Sequence, residues 1–222
     1  MCFEASPGGL PGWKRILDLA CIVIALPVLF PLFVIIGLGI RMSSPGPVIF
    51  RQERVGHRGK RFTCFKFRTM KVDSDVGVHK RHLDLLINSE VPMTKMDCQG
   101  DARLIPLGRI LRVTGLDELP QLINVWRGEM SLVGPRPCIP YEFEQYSPWQ
   151  KQRFNAVPGL TGLWQVSGKN KTTFNQMIYL DIAYARNMSL WLDLVVMLKT
   201  LPALARQFWE MRARNNSAAE RS

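Results

Sequence analysis

The chain is poor in acidic residues, in histidine and in paired cysteines. Its 222 residues include 29 Lys and Arg against 18 Asp and Glu, a formal net charge of +11. This excess indicates an anionic partner: a phosphorylated substrate, an acidic membrane surface or a nucleic acid. The five cysteines form no CxxC pair, which argues against a disulfide framework and favours reduced thiols in the cytosol. His79 and His82 have no third metal ligand nearby in the sequence, so we interpret them as solvated side chains.

Long apolar runs are also absent, with the exception of residues 16–40, in which Asp18 is the single charge. The uncharged part of this run is long enough to cross a bilayer as a helix, at about 1.5 Å per residue. It is too long for a cleaved signal peptide, and it ends in GIRMSSPGP rather than at a small-residue cleavage site. We therefore expect the segment to remain on the protein.

Two prolines, Pro27 and Pro31, lie in the middle of this apolar run. Each removes a backbone donor and costs about 3 kcal/mol in a helix interior, so together they predict a break in the membrane helix. Basic residues flank both ends, with Lys14 and Arg15 before the run and Arg41 after it. Because basic flanks prefer the cytoplasmic side, we expect a re-entrant segment that enters and leaves by one face. A simple spanning helix is the alternative.

The next segment predicts a β-hairpin. Residues 48–54 and 61–68 are β-branched or aromatic in rough alternation, and a Gly-bounded turn at 56–60 separates them. From position 51 to position 71 there are eight Lys or Arg residues and one acid, Glu53. A solvated hairpin surface explains this charge, and so does contact with anionic headgroups or a bound phosphate.

The remainder of the chain is mainly helical in pattern. Helices are predicted over residues 80–88, 104–113, 117–126, 141–154, 173–186 and 190–209. The last of these mixes tryptophan and leucine with charged residues, and it is too interrupted to span a membrane. Core packing and a position on the membrane surface both remain open for it.

The motif TGLDELPQL places two carboxylates at a predicted helix start. Pro120 is tolerated in the first turn of a helix, so the helix should begin near Asp117, with Glu118 beside it. Acids at helix starts commonly cap backbone amides, which explains the pair structurally. Two carboxylates at such a site are also able to hold a divalent cation or to supply a nucleophile to a phosphate.

Two further motifs are rich in proline and glycine. GEMSLVGPRP places Arg136 between Pro135 and Pro137, which hold the chain outside any helix interior, and arginine suits bidentate phosphate recognition. VPGLTGLWQVSGKN has the composition of a shaped loop and ends near Lys169 and Lys171. Each motif alone also fits a rigid structural loop.

Taken together, the motifs KFRTM, GRILR, LDELPQL, GEMSLVGPRP and PGLTGLWQVSGKN closely resemble the bacterial sugar transferase family. These proteins are the monotopic polyprenol-phosphate phosphoglycosyl transferases. The resemblance runs from about Trp13 to Ala205, and the short N-terminus is similar to the minimal form of the family. Phe30, Gly115, Glu129 and Lys169 depart from residues that are frequent in the family, and none of them touches the acidic pair.

The resemblance implies a reaction and a set of site residues. It implies that Asp117 and Glu118 are catalytic, that Asp117 attacks a UDP-sugar to release UMP and carries the sugar phosphate, and that polyprenyl phosphate then accepts it. Mg²⁺ is the implied cofactor, with Asp117 as its ligand. The substrate-binding positions implied by the resemblance are Lys66, Arg68, Arg112, Pro135, Arg136 and Pro137.

We therefore expect an α+β, mostly helical membrane-associated protein on the cytoplasmic face of a bacterial inner membrane. The expected layout is a disordered N-terminus (1–12), a re-entrant helix (13–41), a catalytic domain with an interfacial C-terminal helix (42–211) and a flexible tail (212–222). Three rivals are a glycosyltransferase that releases UDP, a non-catalytic partner in polysaccharide export and a nucleic-acid binder. We disfavour the last because aromatic residues do not interleave with the basic hairpin as a stacking surface requires. The sugar and the oligomeric state stay open.

Overall fold

The structure is a computed structural model that describes residues 10–71, 92, 103–168 and 172–219. The helix predicted over 80–88 lies outside these residues, as do residues 1–9 of the predicted disordered N-terminus and Lys169 and Lys171. Within them the α+β class is confirmed, with long helices and two small sheets.

Helix α1 (Gly12–Ser43) contains the long apolar run and is the element long and apolar enough, among the described residues, to cross a membrane. Pro27 and Pro31 both lie inside it. The helix is continuous through both prolines, so the predicted break does not end it. Each proline removes one backbone donor, but hydrogen bonds on either side of it continue the helix, as in other proline-containing helices.

The predicted hairpin is confirmed. Strand β1 (Ile49–Val55) pairs antiparallel with β2 (Arg61–Phe67), in a register that runs from Ile49 opposite Phe67 to Val55 opposite Arg61. A 3₁₀ turn at His57–Gly59 joins the strands. Cys64 and Phe67 are both buried and, three positions apart, lie on opposite faces of β2, so the strand packs into a different core cluster on each face.

The acidic pair lies in a tight turn rather than in the first turn of an α-helix. Helix α2 (Gly108–Thr114) ends at Gly115, whose φ of 73° is left-handed and therefore favours glycine. A 3₁₀ turn at Leu116–Glu118 follows, and helix α3 begins after Pro120 and spans Gln121–Arg127. The predicted start near Asp117 is thus four residues early, because the chain leaving Gly115 first forms this separate turn.

A second, parallel sheet was not predicted. Strand β3 (Ser131–Val133) pairs with β4 (Gly159–Thr161) and joins the proline-rich motif to the PGLTG motif. The two backbones approach so closely that a Cβ on Gly159 would lie 2.0 Å from the backbone nitrogen of Gly134. The glycines of these motifs are therefore required for the sheet to close.

The C-terminal half is helical. Helix α4 (Pro140–Gln145) is separated from a 3₁₀ helix at Gln150–Asn155, so the single helix predicted over 141–154 is wrong. Pro148 explains the interruption, since the residue before a proline disfavours helical geometry. The following helices are α5 (Leu163–Val166), α6 (Phe174–Asn187) and α7 (Leu190–Ala219).

Helix α7 extends ten residues beyond its predicted end at position 209. Residues 212–219 are therefore helical. The segment contains no glycine or proline, the two residues that most strongly disfavour a helix.

Candidate active site

The acidic pair and a lysine of the hairpin meet at the turn after α2. Asp117 and Glu118 are both half-buried, and the Nζ of Lys66 donates to Oε1 of Glu118 at 2.9 Å. Lys66 lies near the end of β2, so the hairpin brings a positive charge to the carboxylates. Lys66, an implied substrate-binding position, thus lies against the acidic pair.

Asn124 fastens α3 to the edge of β2 and was not predicted. Its Oδ1 accepts from the backbone nitrogen of Phe65 at 3.1 Å, and its Nδ2 donates to the carbonyl of Thr63 at 2.7 Å and to Glu129 at 2.6 Å. The side chain is fully buried. An asparagine inside a helix is unfavourable unless its amide has such partners. Its position within a predicted helix was therefore the sequence feature that could have indicated a structural role.

Arg15 connects the membrane helix to the same helix α3. Its guanidinium donates to the carbonyls of Val125 and Trp126, which lie in the last turn of α3. A cation at this end also complements the helix dipole. The acidic pair therefore lies before a helix that is fastened at one side by β2 and at its end by α1.

The loop that carries Arg136 is held from the interior. Pro135 and Pro137 are buried, and Arg136 is half-buried. Arg153 donates to the carbonyl of Arg136 at 2.8 Å, and Arg54 donates to the carbonyl of Pro137 at 3.2 Å. Burial, together with the nearby charge of Arg136, lowers the pKa of Arg54.

The guanidinium of Arg136 has no hydrogen bond or ion pair with any residue that the structure describes. An arginine held in a rigid loop and not engaged by the protein is suited to binding an anionic ligand.

Cys64 on β2 lies within electrostatic reach of both parts of the site. Burial raises the pKa of its thiol, Lys66 and Arg54 oppose the shift, Glu118 adds to it and Arg136 opposes it. The hairpin contacts the acidic turn through Lys66 and the arginine loop through Arg54. The two motifs, far apart in sequence, converge on the hairpin.

Arg112 and Arg68, which were also predicted to bind substrate, differ in their burial and in their distance along the chain from the acidic pair. Arg112 lies in the last turn of α2 and is half-buried, five residues before Asp117. Arg68 is buried and donates to the carbonyls of Ser44 and Pro45, just after α1. These two hydrogen bonds hold Arg68 against the chain leaving the membrane helix, and its substrate contact stays a prediction.

A magnesium ion fits the acidic turn when a phosphorylated substrate is also present. The described residues contain no group of three or more His, Cys, Asp or Glu side chains arranged for a metal. Mg²⁺ commonly uses one or two carboxylates together with substrate phosphates, so a full protein cage is not required.

A model of a family described as bacterial sugar transferase matches residues 11–207. The chain belongs to this family. The exopolysaccharide production protein ExoY of Sinorhizobium fredii is 39% identical over 191 residues, which cover 86% of this chain and 84% of that protein. The UDP-glucose:undecaprenyl-phosphate glucose-1-phosphate transferase of Caulobacter vibrioides is 40% identical over 199 residues, which cover 86% and 69% respectively.

The undecaprenyl-phosphate galactose phosphotransferase of Salmonella typhimurium is 37% identical over 198 residues. These residues cover 87% of this chain but 40% of the Salmonella protein, so the chain corresponds to less than half of that relative.

Both ends of α1 in this sugar transferase pack against the same folded domain. Near its start, Lys14 is buried in an ion pair with Asp193 of α7, and Oδ1 of Asp18 accepts from the backbone of Leu132 at 3.0 Å. Near its end, Ile36 and Ile40 are buried in a cluster with residues of β2 and α2. Between positions 22 and 36 every side chain is exposed or half-buried. A helix lying flat on the domain would bury a stripe through these central turns.

Helix α7 of the sugar transferase presents an apolar face to the exterior. Trp191, Leu198 and Trp209 are each more than 60% exposed. Their spacings of seven and eleven residues return to the same side of an α-helix. Asp193 and Val196, on the other side, are fully buried, so the exposed face is distinct from the core face.

Proposed function

We propose that the chain transfers a sugar 1-phosphate from a UDP-sugar to a polyprenyl phosphate such as undecaprenyl phosphate. The products are a polyprenyl-diphosphate sugar and UMP, and the reaction is the first membrane step in the synthesis of a polysaccharide or glycoconjugate. Family membership over residues 11–207 and the names of the relatives support this activity. The observation that carries the proposal is the half-buried acidic pair with Lys66 on Glu118.

Asp117 is the proposed nucleophile. A carboxylate oxygen of Asp117 attacks the phosphorus that bears the sugar, the bond from that phosphorus to the bridging oxygen breaks, and UMP leaves with the bridging oxygen. The sugar phosphate is then an acyl phosphate on Asp117. A phosphate oxygen of the lipid attacks the same phosphorus, which forms the diphosphate and restores the carboxylate.

Glu118 and the nearby cations assist this displacement. An anionic carboxylate must approach an anionic diphosphate, so positive charge is needed to offset the repulsion. Lys66 and Arg112 supply charge close to the turn, and Arg136 binds the nucleotide phosphates in the proposal. Glu118, paired with Lys66, orients that lysine and assists proton handling.

Mg²⁺ is the proposed cofactor, held by Asp117 together with the substrate diphosphate. When bound, it supplies positive charge that neutralises the diphosphate and stabilises charge on the leaving UMP.

We place the protein on the cytoplasmic face of a bacterial inner membrane, with α1 re-entrant. Two features support this path: the packing of both ends of α1 on one domain and the exposure of its apolar centre. A spanning helix would separate its ends by the bilayer, which is incompatible with both contacts. UDP-sugars are cytosolic, which favours that side for the active site. The exposed face of α7 then lies at the interface, with its tryptophans at headgroup depth.

The product nucleotide tests the proposal. Purified protein in nanodiscs is incubated with Mg²⁺, undecaprenyl phosphate and each of several UDP-sugars, and the nucleotide is identified by chromatography. We expect UMP, formed in proportion to a lipid-linked sugar diphosphate, from at least one UDP-sugar. Formation of UDP would instead identify a glycosyltransferase. If no UDP-sugar gave a nucleotide product, the chain would be a non-catalytic partner.

A further inference from the structure

Two buried arginines hold the backbone of the loop that carries Arg136. Arg54, from β1, donates to the carbonyl of Pro137, and Arg153, from the 3₁₀ helix at Gln150–Asn155, donates to the carbonyl of Arg136 itself. Both guanidinium groups are more than nine-tenths buried. Burying a charged guanidinium costs desolvation free energy, so the presence of two under one short loop needs an explanation.

Arg153 is the better anchored of the two. It forms a buried ion pair with Asp181 of α6, and its other terminal nitrogen donates to the hydroxyl of Tyr146 at 2.9 Å. That hydroxyl in turn donates to Glu142 at 2.7 Å. Burial raises the pKa of Asp181 to about 6, and the Arg153 guanidinium opposes the shift, so the carboxylate is ionised at neutral pH. The loop contact therefore belongs to a hydrogen-bonded network that spans three elements.

Fixing the carbonyl of Arg136 also fixes the direction in which its side chain leaves the backbone. The flanking prolines restrict φ on both sides of the residue, and the bond from Arg153 sets the orientation of the intervening peptide plane. The direction in which the Cα–Cβ bond of Arg136 leaves the backbone follows from these constraints. A flexible, cationic side chain thereby starts from a defined point.

We infer that Arg153, held by Asp181, is a positioning residue that aims Arg136 at the nucleotide diphosphate of the donor. The inference rests on the proposed function and assigns a task to the buried pair that the reaction itself does not use. Arg153 acts through Arg136 and does not touch the substrate. The effect of changing Arg153 must therefore depend on whether Arg136 is present.

A double-mutant cycle between Arg136→Ala and Arg153→Lys tests this dependence. The lysine keeps a positive charge beside Asp181 but cannot reach all three partners of the guanidinium. We expect either single change to raise the KM for UDP-sugar about tenfold or more, with kcat and the KM for polyprenyl phosphate within about twofold. In the Arg136→Ala protein, Arg153→Lys should cause no further loss beyond about twofold. Independent, multiplying losses would overturn the inference.

Arg186→Lys is the matched control. Arg186 of α6 donates to Oε1 of Gln152, in the 3₁₀ helix at Gln150–Asn155, at 2.7 Å. It therefore connects the two elements that Arg153 and Asp181 connect, but at the surface and outside the proposed site. We expect its kinetics to match the wild type. If it reproduced the Arg153→Lys phenotype, a general loosening of these elements would be the cause and the positioning role would be wrong.

A second variant separates positioning from stability. Arg153→Met with Asp181→Leu replaces the buried ion pair by apolar side chains, an exchange that proteins often tolerate. We expect a melting temperature near that of the wild type but a raised KM for UDP-sugar. A normal KM in this protein would overturn the inference. A wild type that releases no UMP would instead defeat the proposed function, so the two failures are distinguishable.

Discussion

Lys66 forms an ion pair with Glu118 and so compensates part of the negative charge of the acidic pair. We predict that Lys66→Met lowers kcat/KM for UDP-sugar about tenfold or more, since a charge-assisted hydrogen bond is lost and two carboxylates are left less compensated. Lys66→Arg should retain part of the activity. Lys60→Met, on the exposed turn of the same hairpin, is the control and should leave kcat/KM unchanged. Full activity of Lys66→Met would remove this lysine from the mechanism.

The reactivity of two buried cysteines tests how tightly the interior of the site is packed. Cys64 and Cys138 are buried, and burial raises the pKa of both thiols, that of Cys138 to about 12. Since the thiolate is the reactive form, both should resist iodoacetamide at pH 8 in the folded protein and react after denaturation. Mass spectrometry of the digested protein measures this directly. Rapid labelling of Cys138 in the folded state would contradict the packing under the arginine loop.

Sequence motifs identified the candidate residues that lie in contiguous segments. Asp117, Glu118 and Arg136 lie in such motifs, so the sequence alone indicates them as candidates. Asn124 and Arg153 were missed because their partners lie about 60 and 28 positions away in the chain. The partners of Arg68 could not be predicted for a related reason: a motif identifies a cation, but the carbonyls that accept from it are defined by the fold.

Among the elements, the β3–β4 sheet connects the arginine loop to the PGLTG motif. We predict that Gly159→Ala prevents this connection, because its Cβ would lie 2.0 Å from the nitrogen of Gly134, a contact that backbone atoms cannot relieve. The expected cost is about 3 kcal/mol or more, seen as a lower melting temperature in detergent and loss of activity. Gly12→Ala, where a Cβ would meet nothing within 4 Å, is the control. A stable, active Gly159→Ala protein would contradict this geometry.

The hairpin and the sheet show why one was predictable and the other was not. The hairpin has seven-residue strands rich in β-branched and aromatic residues and a local turn, which are strong sequence signals. Strands β3 and β4 have three residues each and pair across an intervening helical segment, so no local pattern indicates them. Likewise, the turn after Gly115 delays the start of one predicted helix and Pro148 interrupts another, because single residues control where a helical pattern begins and ends.

For the whole molecule, the re-entrant path predicts that the N-terminus and the active site lie on one side of the membrane. A protein that keeps Cys2 and has alanine at the other cysteines (Cys21, Cys64, Cys98 and Cys138) tests this. Cys2 should resist a membrane-impermeant thiol reagent in intact spheroplasts and react once the inner membrane is opened. A periplasmic cysteine protein in the same cells confirms that the reagent has access. Labelling of Cys2 in intact spheroplasts would show that α1 spans the bilayer.

The central claim is that Asp117 carries the sugar phosphate between donor and lipid, and intact-protein mass spectrometry tests it most directly. The protein is incubated with Mg²⁺ and its UDP-sugar in the absence of polyprenyl phosphate. We predict a mass increase of one sugar phosphate, removed by hydroxylamine as an acyl phosphate should be, and absent from the folded Asp117→Asn protein. An equal adduct on Asp117→Asn, or no adduct in an enzyme that turns over only with both substrates bound, would contradict the claim.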